Sequence, residues 1–532
     1  MDKMKKRILL ILLTLLISLG AVLGCAKTYP EVEVKETPDK KYAVTSNGGM
    51  VVQKGDFIYF VNGFKPIADV EGNNNVWGKV EKGGIYYAKL TDGKDVQVND
   101  YFGQYTTYDN SDNNFDEEFS GFITEERTYT DQNDEEQTKQ QIVVNPVVSK
   151  LVTNGGYIDG GIYIIDDYIY YGTPTTKKDK KGNVQYDLVD FFRTRIDGKG
   201  TQYIYTSKST SEKPVYGYYK YNGSVYAVFY ESSEQKIYSV EIKNNKVKKA
   251  VVLADNVTSA LLPQKTVYYE GISQDTPEDY IYYTRDIDIE TDPEDEGNIL
   301  EKVRPNGDER DRIVSGAEIT LDKVYQGHLF YFINNFEGTT NKHYFVKDLT
   351  DADKQPVSIF FEPSKSFPTN VFGIMANQND FLALATKGSN TVLYISGQSA
   401  GQIVYNNKSK VLFADANNAY LINENSSGEN ENSSGENEDI SFATVYRLDL
   451  ISKEISQLFS QDVKVDFLKI DFAGSYVFSV ATANEIVQTI EKDGEDVTVL
   501  AKTDYYIKLK NLNSATGTEW DMGWLDKEDY PA

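Results

Sequence analysis

Five times along the chain a short run appears that is apolar on both faces: Phe57-Ile-Tyr-Phe-Val61, Tyr168-Ile-Tyr-Tyr171, Tyr280-Ile-Tyr-Tyr283, Leu329-Phe-Tyr-Phe-Ile333 and Phe381-Leu-Ala-Leu-Ala385. A strand with no polar face must be covered on both sides, so each run has to sit between two layers. Later in each unit comes a second kind of strand that alternates apolar with polar, such as Tyr87-Ala-Lys-Leu90, Phe192-Arg-Thr-Arg-Ile196 and Ile299-Leu-Glu-Lys-Val303. Tyr238-Ser-Val-Glu-Ile242, Tyr446-Arg-Leu-Asp-Leu450 and Tyr506-Ile-Lys-Leu509 repeat it. Asp-Gly or Asn-Gly follows the early examples, where both central residues of a tight turn can take positive φ. The 40 tyrosines and 25 phenylalanines favour strands over helices, and no stretch after residue 24 shows helical periodicity.

A doubly buried strand followed by more exposed ones, recurring every few tens of residues, is what a propeller blade requires. Units begin near Gly48, Leu151, Pro214, Val257, Glu318, Asn370, Lys408 and Val463. The chain is therefore expected to be all-β, a single β-propeller over 48–524 with four-stranded antiparallel blades. Eight blades are favoured, with seven as the alternative. Tandem sandwiches would need linkers that break the rhythm, and a β-helix would repeat at a shorter period. Tyr42 to Asn47 could supply a strand closing the ring against the last unit.

The Ile-Tyr-Tyr strand, the aromatic-led strand and the Asp-Gly turn together resemble the propeller domains of bacterial lipoproteins related to the low-density-lipoprotein-receptor β-propeller. The resemblance runs from about 48 to 520 and implies a fold more than an activity, because the shared motif is a packing motif. The sixth to eighth units lack the Asp-Gly turn. Three polar insertions interrupt the rhythm, at 103–148, 286–298 and 424–439. The first reads as a long loop or hairpin of the first unit and the second as an acidic loop. The third contains the heptad Glu-Asn-Ser-Ser-Gly-Glu-Asn twice in tandem, and is expected to be without order and to project from one blade.

The N-terminus carries an address. Lys3, Lys5, Lys6 and Arg7 precede an apolar run from Ile8 to Leu19, the layout of a secretory signal over residues 1–24. Val22-Leu-Gly-Cys25 resembles a bacterial lipobox, which implies diacylglycerol on the Cys25 sulfur and cleavage before it. Residues 25–47 would then be a lipidated N-terminus and linker. Two acyl chains anchor stably where one does not. The expected location is the outer side of a bacterial, Gram-positive cell membrane. Cys25 is the sole cysteine, so no disulfide is available to the fold.

Charge narrows the partners. The chain carries a net charge of −26, and removal of residues 1–24 takes it near −29. Such a body repels nucleic acid and lacks the basic stripe that phosphate binding needs. Cationic peptides, neutral glycans and divalent ions stay compatible.

Candidate chemistry is sparse. Gly397-Gln-Ser-Ala-Gly401 matches G-x-S-x-G, but it links two strands, whereas a nucleophile elbow joins a strand to a helix, so Ser399 reads as a turn residue. His328 and His343 are the whole histidine supply and show no zinc spacing. Asp286-Ile-Asp-Ile-Glu290-Thr-Asp292 places oxygens at alternate positions. It lacks the sixth-position Gly of a calcium loop, and Gly297 stands where the bidentate Glu belongs. Trp520-Asp521 occurs without the Gly-His of the propeller family that uses that dipeptide. No phosphate loop or dinucleotide fingerprint is present. The expectation is a monomeric, membrane-anchored module without metal or cofactor that binds a protein, peptide or glycan. A hydrolase or lyase with carboxylates at the central channel, and a structural envelope role, are the alternatives.

Overall fold

The computed structural model describes 39 strands between Val44 and Asp521. Outside the described residues lie 1–43, 62–83, 90–123, 149–160, 183–187, 210–213, 269–278, 287–297, 335–340, 362–366, 432–436, 462–466, 502–505, 512–519 and 522–532, with shorter breaks elsewhere. Residues 131–135 also lie outside, and the described residues of 124–146, 424–444 and from 458 onward are described by backbone alone.

The strands form eight consecutive antiparallel meanders, and these are the blades of a propeller. Their first strands are Val51–Lys54, Tyr163–Ile165, Val215–Tyr221, Val257–Leu261, Ile319–Tyr325, Thr369–Met375, Lys410–Ala414 and Phe467–Ala473. In each blade four strands pair in chain order, with the first at the inner edge. The eight units read from the sequence are thus eight blades.

The core explains why the second strand of each unit is apolar on both faces. Each hydrophobic cluster joins one blade to the next. Tyr59, Val52 and Tyr87 of the first blade pack on Ile164, Ile169 and Tyr171 of the second. The pattern repeats between second and third (Tyr170, Phe191 with Tyr218, Phe229) and between third and fourth (Val228, Tyr230 with Val257, Ile281). It continues through fourth and fifth (Tyr282, Leu300 with Leu329, Tyr331), fifth and sixth, and sixth and seventh. The inner strand of the eighth blade lies beside those of the seventh and the first, so the ring closes. Eleven tyrosines are among the largest fully buried side chains, which accounts for the tyrosine excess as packing.

All first strands run the same way, so the ring has two distinguishable faces. One carries the blade-to-blade connections and the links from second to third strands; the other carries the remaining turns. On the first of these faces Gly48 N donates to Ile162 O and Ile162 N to Gly49 O, both at 2.8 Å. Asn47 clasps the Ile164 backbone with both ends of its amide. These bonds join the first blade to the second.

Three expectations from sequence change. Val44–Thr45, within the proposed closing strand, pairs with the first blade's own inner strand and with Val267–Tyr268 of the fourth unit, not with the eighth. The first heptad, 424–430, continues the seventh blade within a hairpin of Asn418–Glu431 with Asn437–Asp449, while 432–436 of the second lie outside the described residues. Extended pairing satisfies the backbone there without any core. The 103–148 insertion does hold a hairpin, Thr124–Thr130 with Glu136–Ile142, but its end is no insertion: Asn145–Val148 is the fourth strand of the first blade.

Candidate functional site

The fourth and fifth blades diverge at their inner ends and leave a pocket of about 350 Å³, lined by Thr258, Ser259, Thr284, Asn298, Glu318, Ile319, Thr320 and Asn334. All come from the beginnings of first and third strands or the ends of second strands. The pocket therefore opens on the face that carries the blade-to-blade connections.

Local backbone irregularity aims these side chains. The pairing of Val257–Leu261 with Ile281–Asp286 shifts register between Val257 and Ser259, so Thr258 is an extra residue. A bulge of this kind re-aims the side chains around it. Two successive hydroxyls then reach one partner: Thr258 Oγ1 and Ser259 Oγ lie 2.9 and 2.6 Å from Thr284 Oγ1. Tyr230 of the third blade holds the bulge from behind, its hydroxyl donating to the carbonyls of Val257 at 3.2 Å and Thr258 at 3.0 Å. Across the pocket Glu318 takes a left-handed φ of 49° immediately before the inner strand of the fifth blade. Asn334 fixes it there, donating from Nδ2 to Glu318 Oε2 at 3.1 Å and from its backbone N to Glu318 O at 3.3 Å.

Beneath the hydroxyl wall lies a charged brace. Arg285 grips Glu301 through Nε (3.1 Å) and Nη2 (2.9 Å), and the Tyr283 hydroxyl donates to the same carboxylate at 2.7 Å. Burial works to raise the Glu301 carboxyl, but the Arg285 and Tyr283 hydrogen bonds outweigh it and hold it below the usual range. The brace fixes the strand residues on either side of Thr284.

Chemically the pocket offers hydroxyls, two carboxamides and one carboxylate, with no cation in its lining. It can accept and donate several hydrogen bonds to a polar ligand. It does not hold the two facing carboxylates that glycoside hydrolysis generally uses. The inner wall elsewhere has a carboxylate–ammonium pair, Asp322 and Lys323, but both are engaged. Asp322 accepts the Tyr344 hydroxyl, and Lys323 lies over the Phe372 ring at 3.2 Å and 3.8 Å from Asp322. Burial pulls the Lys323 ammonium down to about 8, with Asp322 opposing.

The residues singled out in the sequence are not brought together. His328 starts the second strand of the fifth blade and faces Asp348 at 3.9 Å. His343 lies opposite Ile333 at the other end of that strand pair and packs on Phe345 and Phe360. The two histidines thus sit towards opposite faces of the ring. Among the described residues no group of three or more His, Cys, Asp or Glu is placed to hold a metal ion. Ser399 and Cys25 lie outside the described residues, as does the 287–297 body of the acidic loop. Its two ends are described: Asn298 Nδ2 donates to Asp286 Oδ1 at 2.7 Å, and Asn298 is itself a pocket residue. Trp520–Asp521 is a short outer strand of the eighth blade, its backbone paired with Lys508 and Leu509. Sequence reasoning missed the Thr and Asn residues of the pocket. They stand in no motif, and the one available signal was that an insertion is rooted at Asp286 and Asn298.

No known protein-family model matches the chain, and no curated protein matches it. Among solved structures it is similar to a puromycin-hydrolyzing peptidase of Mycobacterium tuberculosis at 10% identity and a TM-score of 0.39, covering 70% of this chain and 54% of that one. It is also similar to the β-propeller domain of the Trilobed protease from Pyrococcus furiosus at 10% identity and a TM-score of 0.32, covering 58% and 98%. An oligogalacturonate lyase in complex with manganese matches at 10% identity and 0.30, covering 58% and 84%. The chain spans about half the length of the puromycin-hydrolyzing peptidase. At these TM-scores the likenesses assign neither activity nor ligand.

Proposed function

We propose that this protein is a lipid-anchored, extracytoplasmic binding module, a bacterial lipoprotein whose propeller takes a glycan unit in the pocket between the fourth and fifth blades. The observation that supports this reading most is the lining: hydroxyls and carboxamides converge there with the single carboxylate of Glu318. Carboxylates and carboxamides each offer two hydrogen-bonding atoms, matching adjacent hydroxyls of a sugar. The acidic body suits a neutral or cationic ligand better than an anionic one. The signal-like leader and Val22-Leu-Gly-Cys25 support the anchor. A hydrolase or lyase would need a second acid or base beside Glu318.

The test is binding of the detergent-solubilised full chain to a glycan array, followed by calorimetry on the best neutral oligosaccharide. Glu318→Gln should weaken that binding about 10- to 100-fold, the worth of a hydrogen bond to a charged group. Thr284→Val should weaken it less, through the lost hydroxyl chain. Unaltered binding in both variants would remove the pocket from the account, and hydrolysis of an envelope polymer by the purified chain would replace binding with catalysis. The anchor is tested separately: Cys25→Ser should release the chain from membranes or leave it unprocessed, and full membrane retention of a processed variant would contradict it.

A further inference from the structure

The two faces of the ring are made unequal by the N-terminal strand. Val44–Thr45 pairs with Val51–Lys54 on the edge away from Phe57–Val61, which is the axial side. Val267–Tyr268, from the connection between the first and second strands of the fourth blade, pairs with its other edge. The inner edge of the first blade is thereby extended two strands inward and tied to the fourth. Direction is fixed by register. Val44 stands opposite Lys54, the last residue of the inner strand, and Thr45 opposite Gln53. The chain preceding Val44 therefore leaves the ring near its axis, at the ends of the first strands. The pocket opens at the other face, where first strands begin.

We propose that the face bearing this tie lies toward the membrane and that the pocket face points away from it, toward the ligand. The proposal rests on the lipid-anchor reading, because it takes Cys25 as the point of attachment. Eighteen residues lie between Cys25 and Val44, so the leash, nineteen Cα steps, spans at most about 65 Å even when fully extended. With the tie face toward the bilayer, the leash has nothing to go around. To turn the pocket face to the bilayer, the leash would first cross from the axial strand to the outer strand of the first blade, four strand spacings or about 19 Å. It would then climb along that blade, whose longest strands have five residues, about 17 Å more. Most of its reach would be used before meeting the membrane. The exit near the axis, rather than at the rim, makes the two orientations so unequal.

The test uses the absence of any other cysteine. Single cysteines are introduced in the full chain at exposed sites on the tie face (Lys199→Cys, Asp308→Cys) and on the pocket face (Lys181→Cys, Thr369→Cys). They are labelled with a fluorophore, and the lipidated protein is reconstituted on liposomes carrying a headgroup-linked quencher. Tie-face labels are expected to be quenched several-fold more than pocket-face labels. A leash lengthened by about thirty Gly/Ser residues between Pro38 and Asp39 should level the difference. Equal or reversed quenching with the protein retained on the liposomes overturns the orientation and leaves the anchor standing. A chain that does not stay on the liposomes, with Cys25 itself open to maleimide, overturns the anchor and the orientation with it. Persistent asymmetry on the long leash overturns the leash as its cause.

Discussion

Glu301 and Glu231 are both buried glutamates on blade strands, and their surroundings push them in opposite directions. Glu301 is held low by Arg285 and Tyr283 against the pull of burial. Its contribution to stability is fully present above the unfolded-state value, near 4.3, and is lost as pH falls through the lowered one. Glu301→Gln should cost about 1.5–3 kcal/mol at neutral pH, the worth of a hydrogen bond to a charged group, and the difference from wild type should shrink on acidification. Denaturant melts at pH 7 and pH 3.5 check this; a difference independent of pH would contradict it. Glu231 is raised by burial, ahead of the hydrogen bonds from Tyr205 and the Lys208 backbone that lower it. Those two bonds fall on Oε1, and buried Oε2 has none. A raised carboxyl contributes stability at low pH that is lost as pH rises through its folded-state value. Glu231→Gln should therefore gain relative to wild type as pH rises from 4 to 7, and a constant gap would contradict the assignment. Sequence alone distinguishes neither residue, because Glu231 ends a strand buried throughout, Glu301 sits on an alternating one, and the decisive partner comes from a neighbouring strand or blade. Gly161 is a third position of this kind. A Cβ there would stand 1.6 Å from the Gly48 carbonyl oxygen, so Gly161→Ala must force the first two blades apart at their shared hydrogen bonds. A loss of at least about 1–3 kcal/mol in chemical denaturation is expected, the usual cost of overpacking.

At the level of strands and turns, the apolar runs were legible because a strand buried on both faces leaves a mark in every residue. Tyr280-Ile-Tyr-Tyr283 could be read without knowing its neighbours. The pairing of the first heptad was not legible, because it comes from backbone hydrogen bonds that polar residues neither encode nor forbid. The blade proper needs only the pairing of Asn418 to Asn423 with Thr444 to Asp449. Excising one heptad should then leave stability within about 0.5 kcal/mol, as for surface changes that touch no core. A loss of cooperative unfolding would show instead that the long hairpin supports the ring. The pocket was illegible for a related reason: its geometry depends on one bulged threonine and one left-handed glutamate, neither of which follows from residue type. What the sequence did reveal was the root of an insertion at Asp286 and Asn298, and Asn298 lines the pocket.

For the whole molecule, a propeller must hold its first and last blades together, and a chain with one cysteine has no disulfide within it to do so. Among the described residues every blade draws its four strands from one stretch of chain, so none mixes the two ends. The N-terminal strand lies inside the ring instead, between the first blade and a segment of the fourth. This tie places Val44 beside Lys54, at the ends of the first strands, whereas the pocket opens where first strands begin. Thr45 and Val267 stand opposite each other in that pairing, more than two hundred residues apart in sequence. Facing residues of antiparallel strands have Cα atoms about 4.5–5.5 Å apart, within the range a disulfide accepts. The direct test is oxidation of the Thr45→Cys, Val267→Cys double variant in a Cys25→Ser background. An intramolecular crosslink that shifts gel mobility and reverses on reduction is the expected result. No crosslink there, with one forming instead between Thr45→Cys and Lys508→Cys of the eighth blade, would contradict the tie.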